Sequence, residues 1–257
     1  MPYIEGAGVA LHYVTHGEGP AALVVHGMAS DAAAWQPALE ALSARGLRAL
    51  ALDRRGYGSS GAPEPYAATT VQEQAEDVAA VADAVGGAGG GTDAPPVLLV
   101  GEGLGALVVL ELLVRRPALA RGAVLADPLL HAFVPAATAA LADERTLLEE
   151  GLREGGPPAA IRAWLGDAVV AADAARADRA VAAHAGFFAD YAGQSSWSPS
   201  RRELRAIAVP VAIVTGPGTA EHVVAAADVL AGLVPGARRT RDGDVVSATL
   251  ALAQPAE

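Results

Sequence analysis

Residues 97–110 read VLLVGEGLGALVVL, an apolar run that breaks on three glycines and resumes with apolar residues at helical spacing. Two functional patterns share this order of strand, turn and helix. In G-x-S-x-G a nucleophilic serine sits on the turn. In G-x-G-x-x-G or G-x-G-x-x-A the turn opens a helix onto a dinucleotide pyrophosphate. The stretch meets the second pattern literally, through Gly101, Gly103 and Ala106. It meets the first everywhere except at the serine, where Gly103 stands.

The flanking sequence supplies the context. Upstream, Val9 to Thr15 and Ala21 to Val25 alternate around the turn signal HGEGP, which predicts a hairpin feeding a buried strand. PALEALSARG has the apolar spacing and terminal glycine of a helix, and LRALALD follows as a strand. A helix is expected from about Thr70 to Val85, with Glu73, Glu76 and Asp77 in its early turns where the helix dipole favours anions. GGAGGGTDAPP then forms a loop before the quoted strand. Downstream, Ala106 to Arg115 is helical, RRPALA ends it, and GAVLADP is another buried strand.

From Leu129 to about Arg205 the pattern becomes Ala-rich and helical, and strand character returns only with VPVAIVTG at 209–216. Alternating strands and helices imply a parallel sheet covered on both faces. The helical stretch is too long for an ordinary loop. The expected division is a core of residues 1–128 and 206–257 with a helical cap at 129–205. About four strands precede the glycine turn and two follow it, whereas a dinucleotide domain begins with its glycine turn. Asp127 lies at a suitable distance for a ribose-binding acid, so a nucleotide-dependent enzyme stays as the runner-up.

Bulk composition narrows the function classes. A length of 257 residues suits one large α/β domain or two small ones. A net charge of −11 argues against a nucleic-acid partner, because phosphate contacts need clustered Lys and Arg. No apolar run reaches the ~18 residues of a membrane span, and the first residues lack the basic and apolar regions of a secretory signal, so a cytoplasmic protein is expected. The absence of cysteine removes disulfides and thiolate chemistry, and no residue spacing matches a metal site.

Taken in order, GVALHYVTHGEGP, LVVHGMAS, DRRGYGSSG, GEGLGA, LADP and VPVAIVTG resemble the α/β-hydrolase superfamily over nearly the whole chain. The resemblance implies a mostly parallel sheet of about eight strands, helices on both faces and a helical cap inserted after the sixth strand. It also implies a serine at the elbow, a histidine near the C-terminus and an acid to orient it. Gly103 occupies the elbow and Asp244 the histidine position. Asp127, Glu221 or His222 stand at acid positions, so an ordinary triad cannot be assembled.

Part of the apparatus is expected to survive. The backbone N–H groups of Met28 and Leu104 match the family's two oxyanion donors, which depend on backbone geometry more than on side chains. His26 is expected to bond backbone in its loop before acting as a base. Glu102 points sideways into the cleft or is solvated, and Asp127 with Asp244, if they converge, form paired carboxylates. Trp164, Phe187, Phe188, Tyr191 and Trp197, five of the eleven aromatics, pack the cap or line the pocket. Ser30, Ser59 and Ser60 are the candidates for a relocated nucleophile. His131 and His184 face the cleft or solvent, and His12 and His16 belong to the hairpin.

The function expected on this basis is a non-hydrolytic, cofactor-free enzyme of natural-product metabolism acting on an apolar aromatic or polyketide-like small molecule. By similarity to the superfamily's cofactor-independent oxygenases, an ionised substrate would react with dioxygen. A lyase or cyclase, a catalytically silent binding scaffold, and a hydrolase with a relocated nucleophile are the alternatives.

Overall fold

The computed structural model describes residues 2–86 and 95–254. Most of the loop expected after the second helix, residues 87–94, lies outside the described residues. In chain order the first half contains β1 (Tyr3–Glu5), β2 (Ala10–His16), β3 (Ala21–Val25), α1 (Gln36–Ser43), β4 (Arg48–Leu52), α2 (Val71–Gly86), β5 (Val97–Glu102), α3 (Leu104–Arg115) and β6 (Ala120–Ala126). Helices α4 (Pro135–Leu165), α5 (Asp167–Ala172), α6 (Ala174–Ala182), α7 (His184–Ser196) and α8 (Arg201–Arg205) follow. The chain then returns through β7 (Val211–Thr215), α9 (Glu221–Leu233), β8 (Arg238–Arg241) and α10 (Val245–Ala253).

The eight strands form one sheet in the order β1-β2-β4-β3-β5-β6-β7-β8. Pairing is antiparallel for β1 with β2 and β2 with β4, and parallel across the rest. Every residue of β3 and β7 is buried, as strands covered on both faces require. By contrast β8, with the sequence RRTR, is a charged edge strand whose Arg239 and Arg241 both reach Asp228 on α9.

Alternation within the strands sends side chains to two cores. Leu23, Val25, Leu99 and Leu125 meet α2, α3, α9 and the helical insertion. Val24, Leu98, Val100 and Val124 meet Trp35 and Leu39, with α10 packed against them. The expected hairpin does not form: β2 pairs with β4, and β4 lies between it and β3. The HGEGP turn therefore leads from the antiparallel edge into the parallel sheet, and period-two patterning, which fixes faces and not neighbours, could not distinguish the two outcomes.

Helices α4 to α8 fill the interval between β6 and β7. Within α4 the helix breaks at Gly155 and Gly156, the latter at φ 71°, before Pro157 and Pro158, so the chain doubles back and Gly151 faces Ala160. No helix among the described residues is long and apolar enough to cross a membrane.

Candidate active site

The glycine turn joins β5 to α3. Gly103 has φ 55° and ψ −116°, a backbone state that L-residues reach only under strain, and its N–H donates to Ala126 O at 2.9 Å. A β-carbon at this position would stand 3.7 Å from Gly27 Cα and 3.7 Å from Leu129 Cδ1, so the space is open to ordinary contact. Gly105 is different. A β-carbon there would run into the carbonyl oxygens of Val25 and His26, so glycine at 105 is what lets α3 lie against the end of β3.

Loop 26–31 leaves β3 beside this turn. Among the described residues, neither Met28 N–H nor Leu104 N–H donates to a protein acceptor. Unpaired, buried backbone donors are uncommon, and two of them flank a residue that has no side chain.

His26 is wholly buried and both ring nitrogens are occupied. Nδ1 lies 2.7 Å from Gly27 O, and Nε2 accepts the backbone N–H of Arg54 at 3.1 Å. These partners fix the neutral tautomer with hydrogen on Nδ1. Burial, with the Arg54 charge second, pushes its pKa well below the ordinary imidazole value. The lone pair is thus committed within the loop.

Glu102 ends β5 and accepts the N–H of Gly27 at 3.4 Å, a long bond. Burial raises its pKa above the carboxylate value. The Gly27 contact and the charge of Arg176 oppose this, and Asp127 adds to it. With Ser30, Trp35 and Arg176 it lines a cavity of about 290 Å³. A second cavity of about 440 Å³, sharing Ser30, is walled by His12, Asp31, Asp53, Tyr57 and Arg179 among others.

The two aspartates are occupied separately. Asp127, at φ 44°, accepts Gly216 N–H at 3.3 Å and Thr219 Oγ1 at 2.7 Å, which ties the end of β6 to the loop after β7. Asp244 caps α10 by accepting Ser247 N–H at 2.8 Å. No hydrogen bond joins them to each other. Glu221 opens α9 and is exposed.

The aromatics of the insertion pack mainly on one another and on the core. Phe187 contacts Trp164 and Phe188 edge-on at 5.2 and 5.3 Å, Tyr191 donates to Leu141 O at 2.9 Å, and Trp197 Nε1 donates to Glu111 at 2.9 Å. None of the five lines either described cavity. His131 Nδ1 lies 3.1 Å from Ala137 O, and His184 Nδ1 3.3 Å from Val181 O. Among the described residues no group of three His, Asp or Glu could hold a metal.

Sequence reading missed Asp53, Arg54 and Asp190. Asp53 Oδ1 accepts Ala32 N–H at 2.8 Å, and its Oδ2 meets Ser59 N–H and His12 Nδ1. Arg54 forms a bidentate pair with Asp190 of α7, with both side chains buried. DRRGYGSSG marked the first two residues as a motif but gave no roles. Asp190, one acid in an Ala-rich helix, carried no signal.

Residues 20–229 match the family described as serine aminopeptidase, S33. A protein of Variovorax paradoxus named "Putative carbamate hydrolase RutD" is 41% identical over 110 residues, 42% of this chain and 38% of that protein. An epoxide hydrolase of Caballeronia sordidicola is 36% identical over 78 residues, 30% of this chain and 24% of that protein. The chain thus spans well under half the length of these relatives. In fold, a solved α/β hydrolase of Sphaerobacter thermophilus superposes with a TM-score of 0.77 at 22% identity, over 98% of this chain and 99% of the other.

These relatives are named as hydrolases, which overturns the expected non-hydrolytic oxygenase of natural-product metabolism together with its lyase, cyclase and silent-scaffold alternatives. The physical reason lies at the elbow. Glycine at 103 removes a side chain from one position only, and hydrolysis needs a nucleophile from any source, a hydroxyl elsewhere or a water.

Proposed function

The chain belongs to the serine aminopeptidase S33 family within the α/β-hydrolase superfamily, and from that membership we propose that it hydrolyses a small carbonyl substrate of the carbamate or ester type with water as nucleophile. The observation that carries this reading is the pair of unsatisfied N–H groups, Met28 and Leu104, on either side of a side-chain-free Gly103. Such donors stabilise charge that develops on a carbonyl oxygen, and they do so whether the attacking group is a serine or a water. The substrate class follows the name of the Variovorax relative.

In this reading the ordinary nucleophile and histidine are absent, with Gly103 and Asp244 at their positions. Glu102 is the base, since its raised pKa brings it closer to that of an effective proton acceptor. Water adds to the carbonyl carbon as its proton passes to the Glu102 carboxylate, and the negative charge moves to the oxygen facing Met28 and Leu104. Collapse breaks the bond to the leaving alcohol or amine, which takes the proton back.

The test is hydrolysis of aryl carbamates and p-nitrophenyl esters in ¹⁸O-water, alongside a fluorophosphonate probe. Label in the acid product after one turnover, with no mass adduct on the protein, is the expected result. An adduct on Ser30, Ser59 or Ser60 would replace it with a relocated nucleophile. Ser30 is the serine to watch, because it lines both cavities.

A further inference from the structure

A buried polar cluster joins the helical insertion to the loop that carries Met28. Arg54 spends all five of its N–H donors inside the protein. Nε donates to His26 O at 2.8 Å, Nη1 to Gln74 Oε1 at 2.5 Å and Asp190 Oδ1 at 3.0 Å, and Nη2 to Gly27 O at 2.9 Å and Asp190 Oδ2 at 2.7 Å. Asp190 also accepts Gln74 Nε2 at 2.8 Å and Tyr57 Oη at 2.6 Å, so both of its oxygens are filled. Neither charged side chain is more than 1% exposed.

The consequence lies in the geometry of one peptide. Gly27 O accepts from Arg54 Nη2 and from His26 Nδ1, so two donors hold the carbonyl of the 27–28 unit. A trans peptide is planar, with its C=O and N–H pointing in opposite directions. Holding Gly27 O therefore aims Met28 N–H the other way. Gly27 Cα itself lies 3.7 Å from where a β-carbon of residue 103 would stand.

We propose that Asp190 of the insertion is a positioning residue for Met28 N–H, acting through Arg54 and the Gly27 carbonyl. The inference rests on the hydrolytic reading for its kinetic consequence and on geometry alone for its structural one. Without the Asp190 carboxylate, Arg54 keeps a buried charge with no counter-ion and shifts toward other acceptors. Its hold on Gly27 O loosens, and the 27–28 peptide is free to turn. Docking of the insertion thereby sets the oxyanion site, with Asp190 acting through Arg54 and not at the elbow itself.

The experiment compares Asp190→Asn with Glu111→Gln, which weakens the Trp197 contact between α3 and the insertion far from the loop. A lost oxyanion donor is worth on the order of 100-fold in kcat. D190N should approach that loss with KM within about 2-fold, whereas E111Q should fall much less. Amide NMR supplies a readout that needs no turnover: phenylphosphonate should shift both Met28 and Leu104 in the unmodified protein, and Leu104 alone in D190N. If D190N does not fold, Tyr57→Phe, which removes one of the donors to Asp190, serves in its place with a smaller loss of the Met28 response.

Equal Met28 responses in variant and unmodified protein, or equal kinetic losses in D190N and E111Q, overturn the proposal. So does a phosphonate that shifts neither amide of the unmodified protein. A protein that hydrolyses nothing yet shows both shifts refutes the hydrolase reading, and the NMR comparison then decides the positioning role.

Discussion

His12 Nδ1 stands 2.7 Å from Asp53 Oδ2, and this contact joins the antiparallel edge of the sheet to the loops above its parallel centre. The same carboxylate holds Ala32 N–H and Ser59 N–H, so one side chain ties three segments together. Asp53→Ala leaves all three donors without this acceptor. The expected loss is on the order of 3 kcal/mol of unfolding free energy, read by urea titration, and a loss under about 1 kcal/mol would show that water replaces the carboxylate freely.

Gly103 and Gly105 should respond oppositely to an added methyl. At 103 the space is open and only the backbone strain of φ 55°, ψ −116° is added, so Gly103→Ala should cost about 1–3 kcal/mol. At 105 the methyl collides with two carbonyl oxygens, so Gly105→Ala should cost about 3 kcal/mol or more. Thermal unfolding of the two variants side by side gives the order. In activity the ranking is different: the methyl at 103 occupies the room left for water and should lower kcat even in a stable variant.

The raised pKa of Glu102 sets the acid limb of hydrolysis. A base must be ionised, and burial favours the protonated form, so activity should climb with pH through a midpoint above the ordinary 4.5. Glu102→Gln should remove that limb and lower kcat on the order of 100-fold. A limb that persists in the variant assigns the proton to another group.

Asp244, whose pKa is shifted in the opposite direction, offers a test on stability. The Ser247 N–H holds its pKa below the ordinary 3.8. Its folded value is therefore below its unfolded value. The cap stabilises above the unfolded pKa and is lost as pH falls through the folded one. Asp244→Ala should cost about 1 kcal/mol near neutral pH, and the difference from the unmodified protein should shrink in acid. A difference that is flat down to pH 2 would count against the cap as its source.

Much of the fold was legible because buried strands advertise themselves. VLLV, LVV and ALAL are continuous apolar runs, and the glycine turn fixes one strand to one helix. Strand order was less accessible. The antiparallel placement of β2 depends on pairings between segments that period-two patterning treats alike, and β1, three residues long, has too little sequence to show a pattern.

The site divided along the same line. Met28 and Leu104 were named as donors through the resemblance of their loop and turn to the family's, and the structure leaves both N–H groups without a protein acceptor among the described residues. Arg54 and Asp190 lie 136 residues apart, and nothing local in either segment requires the other. The functional inference failed for a chemical reason: glycine at 103 and aspartate at 244 in place of the family's serine and histidine were weighed above the other routes to hydrolysis, of which only a relocated nucleophile was kept as an alternative.

The placement of the insertion between β6 and β7 also bears on how the chain reaches this state. Ala123 and Val211 are direct neighbours in the sheet. Bringing them together closes a loop of about 90 residues, roughly 2 kcal/mol more costly in chain entropy than closing a loop of about 10. The pairings of β3 with β4 and of β5 with β6 close through much shorter loops. The C-terminal strands should accordingly join late in folding, once the helices between them have collapsed and shortened the effective span.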